Sequence, residues 1–146
     1  MGNSREFILG ITSQGQSEYE TIGPAKTFGG IKGRLIKRRG DPDHHTTLPK
    51  YSKTSDVYFR QNKNGVCQAR VYTDRRMILD FDWSHNHTNK KENRTFRAGT
   101  IHVQVWRYNK DGSFVRISDK ARLMNNYEMK KYGALIKAFC PDVKFR

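Results

Sequence analysis

Three segments of this chain alternate polar and apolar residues with a period of two: "VCQARVYT" (66–73), "RMILDFDW" (76–83) and "TIHVQVWRY" (100–108). Side chains two apart on a strand share a face, so this pattern describes strands that each bury one face. Asp74-Arg75 is a tight turn between the first two, and Asn62-Lys63-Asn64-Gly65 turns "VYFRQ" (57–61) into the first. After a turn at Asn109 to Ser113 comes the short run "FVRIS". The segment 57–117 therefore reads as a β-meander. Beyond it, Ser118 can cap a helix over 118–140, with Ala121, Met124, Tyr127, Leu135 and Phe139 along one side and Cys140-Pro141 ending it. The expected fold class is α+β: a twisted antiparallel sheet packed by a C-terminal helix.

Residues 1–50 read differently. "EFILGIT" (6–12) is a short β-capable run, but Ser13 to Gly33 is rich in Gly, Ser and Gln, shows no period, and reads mostly as loop. A basic cluster (Arg34, Lys37, Arg38, Arg39), the turn-forming Asp41-Pro42-Asp43 and a polar His44-His45 pair follow. With 146 residues the whole is expected to be a single domain with a loop-rich basic N-terminal part.

The net charge is +14, and residues 61–146 hold 18 basic against 8 acidic residues. A field of that sign favours a polyanion, and nucleic acid is the first partner to consider. It disfavours a mimic of acidic proteins. Cys67 and Cys140 form no metal or redox spacing, and the chain shows neither an apolar run near 18 residues nor a secretion signal. The expectation is a cytoplasmic protein with no membrane association and no cofactor.

If the apolar alternation faces the helix (Cys67, Ala69, Val71; Met77, Leu79, Phe81, Trp83; Ile101, Val103, Val105), the opposite face carries the polar set. That set is Gln68, Arg70, Tyr72, Asp80, Asp82, His102, Gln104 and Trp106, with His85 and His87 at its rim. Arg pairs phosphate, an aromatic ring stacks a base, and imidazoles move protons, so such a face suits RNA. Equally, Asp80 and Arg70 suit a cross-strand ion pair with no function beyond the fold. The letters H-N-H in "LDFDWSHNHTN" are not a nuclease signature, because the nucleases of that name spread these residues over a hairpin and a helix. Asp80, Asp82, His85, His87 and His102 are all of metal-ligating type, yet no spacing among them matches a recognised zinc or two-metal pattern, and no metal is expected.

With these residues in view, Lys50 to Trp106 resembles a module found at the C-termini of some bacterial polymorphic toxins and some Gram-positive phage minor head proteins. Members read as a strand with Tyr, a turn, a strand ending D-x-D, then D-H-G-N-P and P-H-x-H-x-W. Here "ARVYTDRRMILDFDW" is similar to the first part, "NHTN" stands at the D-H-G-N, and "IHVQVW" at the P-H-x-H-x-W. The resemblance implies a toxin-like domain with metal-independent ribonuclease activity. His87 and His102 would then be general base and acid, and Asp82, closing the D-x-D, completes the set with His85. The chain departs from the pattern at Gln104, where the second histidine of P-H-x-H is expected, and in the basic loop "KKENRTFRAG" that replaces Gly-Pro. Either His85 supplies the missing imidazole, or chemistry is lost and a binding scaffold is kept.

Two functions follow. One is a ribonuclease. The other is a non-catalytic phage accessory protein that binds nucleic acid or a host nucleoprotein, RNA ahead of DNA. Both use Arg70, Tyr72, Gln104 and Trp106 on the sheet and Lys90, Lys91, Arg94 and Arg97 in the loop as nucleic-acid contacts.

Overall fold

A computed structural model describes residues 18–40, 46–89, 93–117 and 121–146. The meander is present as β3 (Val57–Asn62), β4 (Gly65–Thr73), β5 (Arg76–Asp82) and β8 (His102–Tyr108), all antiparallel neighbours. Between β5 and β8 the chain makes a small separate hairpin, β6 (His87–Asn89) with β7 (Arg94–Phe96). At the β4–β5 turn Asp74 and Arg75 both adopt positive φ (52° and 67°), the conformation that matches a two-residue turn to strand twist. β9 (Phe114–Arg116) pairs with the far end of β8.

The N-terminal part departs from its reading as loop. β1 (Tyr19–Phe28) and β2 (Ile31–Arg38) form a hairpin that adds to the meander through a parallel β2–β3 pair, so the eight-stranded sheet is mixed though mostly antiparallel. Gly23-Pro24 obscures this strand in the sequence, because it sits at a register shift between Ile22 and Lys26. β1 is an edge strand, where a bulge and a proline are tolerated at the cost of local pairing, and residues 23–25 have no partner on β2. The run 6–12 and the Asp41 to His45 segment lie outside the described residues.

The helix also starts later than the pattern suggests. Ser118 lies outside the described residues, Arg122–Leu123 forms β10 along β8, and the helix spans Asn126–Phe139 with Asn125 as its cap. Asn125 Oδ1 accepts from the Glu128 amide (2.8 Å) and Glu128 returns a bond to the Asn125 amide (2.9 Å). Glu128 further accepts from both terminal nitrogens of Arg122, at 2.7 and 2.9 Å. Ala121 and Met124 are buried ahead of the helix; Tyr127, assigned to its apolar side, is exposed.

The helix lays Tyr132, Leu135 and Ile136 on Val57, Phe59, Ala69, Val71, Phe81 and Val103, with Val143 of the C-terminal tail completing the layer. Each large side chain so enclosed contributes about 1.5–3 kcal/mol. Gly33 on β2 allows the approach: a Cβ there would lie 2.9 Å from Phe59 and 3.0 Å from Leu135. Among the described residues, no helix is long and apolar enough to cross a membrane.

The opposite face is not simply polar. Tyr19, Ile36, Leu48, Tyr58, Tyr72 and Met77 form a second apolar cluster with Trp106 and Phe114 against it. A register shift between Val71 and Tyr72 moves Met77 out of the helix-facing set, where strict alternation places it. What remains polar lies beside this cluster.

Candidate functional site

Register builds the polar region as two rows across the strands. Arg60, Gln68, Asp82 and His102 are successive cross-strand partners on β3, β4, β5 and β8; Tyr58, Arg70, Asp80 and Gln104 form the next row. Together with Trp106, Arg116, His85, His87 and the Thr46–Leu48 segment, most of these residues line one open cleft of about 550 Å³.

The floor of the cleft is a closed network. Arg70 donates from Nε to Asp80 Oδ1 (2.6 Å) and from Nη2 to Oδ2 (3.0 Å), and its Nη1 reaches the Leu48 carbonyl at 2.6 Å. Trp106 Nε1 donates to the same Asp80 at 2.9 Å. Tyr72 is buried, donates to the Pro49 carbonyl at 2.5 Å, and has its pKa raised well above the ordinary phenol value by that burial. Of the expected RNA contacts, Arg70 and Tyr72 thus hold the 46–50 segment to the sheet, with Arg70 lining the cleft floor. A buried guanidinium whose Nε, Nη1 and Nη2 already donate to Asp80, Leu48 and Pro49 is poorly placed to pair with phosphate.

The walls are different. Arg60 donates from Nε to Gln68 Oε1, and Arg116 from Nη1 to Gln104 Oε1 at 3.0 Å. Each glutamine takes one donor of a five-donor guanidinium and orients the rest. Gln104, at the place of a motif histidine, thus braces Arg116. Neither Arg60 nor Arg116 stands out in the sequence, yet both follow from register, Arg60 opposite Gln68 and Arg116 opposite Trp106. Of the loop cations, Lys90 and Lys91 lie outside the described residues, as does the side chain of Arg94; Arg97 is exposed beyond β7 and does not line the cleft.

At one end of the cleft three histidines meet. His102, on β8, is fully enclosed, stacks on His87 with ring centroids 5.0 Å apart and planes 19° apart, and has His85 at 5.5 Å. Phe96, the cross-strand partner of His87, closes the group. Among the described residues, neither ring nitrogen of His102 has a hydrogen-bond partner. Burial lowers its pKa to about 4, against an opposing pull from Asp82 and with further lowering by His87 and His85. Asp82 accepts from the Ser84 amide (2.8 Å) and hydroxyl (2.7 Å), and Ser84 Oγ lies 2.8 Å from His85 Nδ1. A hydroxyl that donates to Asp82 has only lone pairs for His85, so it accepts from Nδ1–H and leaves His85 Nε2 with its lone pair. The sequence brings His85, His87, His102 and Asp82 under suspicion, and the structure places all four together.

No family model, curated protein or solved structure matches this chain.

Proposed function

We infer that this chain is a basic RNA-binding domain that holds a single strand in the His- and Arg-lined cleft. The observation that carries this reading is the pair of braced arginines, Arg60 and Arg116, on the walls of an open concavity in a chain of net charge +14. A cleft of about 550 Å³ has the size of a small-molecule site, which suits a splayed nucleotide and is far too small for a duplex. Trp106, half-buried at its edge, offers a ring to a base, as in other single-strand sites. The likeness to toxin and phage modules favours RNA over DNA and a bacterial cytoplasm as the setting; the free thiols Cys67 and Cys140 suit that compartment.

Binding is better supported than metal-independent cleavage. A general acid must reach the leaving oxygen, and His102 is enclosed beneath His87 with no path to a substrate. The deciding experiment measures fluorescence anisotropy of labelled single-stranded RNA, single-stranded DNA and duplex DNA over a salt series. Single-stranded RNA should bind most tightly, and its affinity should fall at least several-fold between low and physiological salt as counterions are released. Arg60→Ala and Arg116→Ala should each weaken it and flatten the salt slope by about one. Absence of affinity for any polyanion, or arginine variants that bind as wild type does, would overturn the reading.

A further inference from the structure

We propose that His85, His87 and His102 form a three-histidine site for a divalent transition metal of the zinc and cobalt class. Each ring offers a nitrogen, and the three nitrogens lie within 4.8 Å of one another. A tetrahedral zinc centre with bonds of about 2.0–2.1 Å needs its ligands roughly 3.3 Å apart, so the nitrogens have to close by up to about 1.5 Å and His87, now stacked on His102, has to turn its lone pair towards the ion. His85, in the short turn after β5 and 57% exposed, has the freedom to close in.

Two independent features point to a ligand. Among the described residues His102 is completely buried with both ring nitrogens unpartnered, where Arg34 and Ser55 each leave a single buried atom so, although buried polar groups in proteins are rarely left unsatisfied. Its neighbours on the cluster side, His85 and His87, make no hydrogen bond to it, whereas a cation shared with them would satisfy all three rings. Second, Asp82 and Ser84 hold His85 by Nδ1, the carboxylate-backed arrangement that fixes a metal-ligating histidine and raises its basicity. Pure imidazole coordination selects zinc, cobalt, nickel or copper over magnesium and calcium, which require oxygen.

Three histidines leave a coordination position open. His85 and His87 line the cleft while His102 lies beneath them, so that position faces the cleft, where water or an anionic ligand would take it. Such closeness of three histidines is invisible to a spacing rule, because β8 enters the cluster from beyond the β6–β7 hairpin. The proposal goes beyond RNA binding and is read on the protein alone.

Calorimetric titration of the metal-stripped protein with zinc and with cobalt should give one site per chain, with the visible ligand-field absorption of low-coordinate cobalt and a raised melting temperature. Magnesium should give neither. His85→Ala and His87→Ala should each lower the affinity by more than the 10- to 100-fold typical of losing an outer-shell partner. His85 is exposed, so its variant keeps the fold, verified by an unchanged metal-free melting curve; the buried His102→Ala, which would also open a cavity, is not required. A double variant His44→Ala/His45→Ala should bind as wild type does. Failure of wild type to bind zinc or cobalt, or binding that survives loss of His85 and His87 but not of His44 and His45, would overturn the site whether or not RNA binds.

Discussion

The two faces of this sheet are made by alternate residues of the same strands and are closed by different physics. Under the helix, Phe59, Phe81, Val103, Leu135 and Ile136 exclude water by packing alone. On the other face an ion pair is sealed beneath a chain segment: Arg70 and Asp80 are 6% and 3% exposed, and their remaining bonds go to Leu48 and Trp106. Packing is non-directional and tolerates relaxation. A sealed charge pair tolerates the loss of neither partner.

The sharpest way to break that contrast is Asp80→Ala. It leaves Arg70 buried without its counterion and should cost about 3–5 kcal/mol of unfolding free energy in urea. Leu135→Ala, on the packed face, should cost about 2–5 kcal/mol by leaving a cavity. An Asp80→Ala cost below about 1 kcal/mol would mean that water reaches Arg70, and the face would not be sealed.

Acid should separate the faces as well. In the metal-free protein the folded state holds His102 at a pKa of about 4 against an ordinary 6.5, so below 6.5 the unfolded chain binds the proton first. Stability is therefore fully present above pH 6.5 and lost as pH falls towards about 4. Urea midpoints of wild type and His102→Gln over that range should converge as pH falls. Parallel curves would show that His102 titrates normally and is open to solvent.

Gly33→Ala tests the packed face from the opposite direction, since an added methyl meets Phe59 and Leu135 at about contact-breaking distance. Overpacking should cost about 1–3 kcal/mol. A neutral result would show that the helix can lift from β2.

How much of this was legible in the sequence depends on the range of the signal. The meander and its turns are local, so period two and Asp74-Arg75 suffice for them. The Asn125–Glu128 capping box was also legible, as Asn followed three residues later by Glu, but Ser118 offered an earlier cap and Tyr127 an apparent apolar stripe. The β1–β2 hairpin was hidden by Gly23-Pro24, although Gly29-Gly30 marks its turn with positive φ at both residues. Candidate site residues on strands were legible as a set because alternation sends them to one side. Their division into a sealed floor (Arg70, Tyr72, with Trp106 bonded to Asp80) and walls (Gln104, with Arg60 and Arg116) was not. That division depends on Leu48 and Pro49, which reach the sheet from more than 20 residues away in sequence.

The smallest expected effect bears most directly on whether the cleft is a site or an imperfect piece of core. Arg116 is exposed and Gln104, though buried, lines the open cleft, so water in the cleft can take the place of the Arg116 donor at little cost. Arg116→Ala should therefore change stability by no more than about 0.5 kcal/mol, the usual range for surface positions. The double variant with Gln104→Ala should show a coupling of less than about 1 kcal/mol between the two. Residues that close a core cannot be removed so cheaply, whereas residues held ready for a ligand can, because their bonding is completed only when the ligand arrives. Were Arg116→Ala to destabilise the chain as much as Asp80→Ala does, wall and floor would be one structural network, and the guanidinium would have no donors to offer a phosphate.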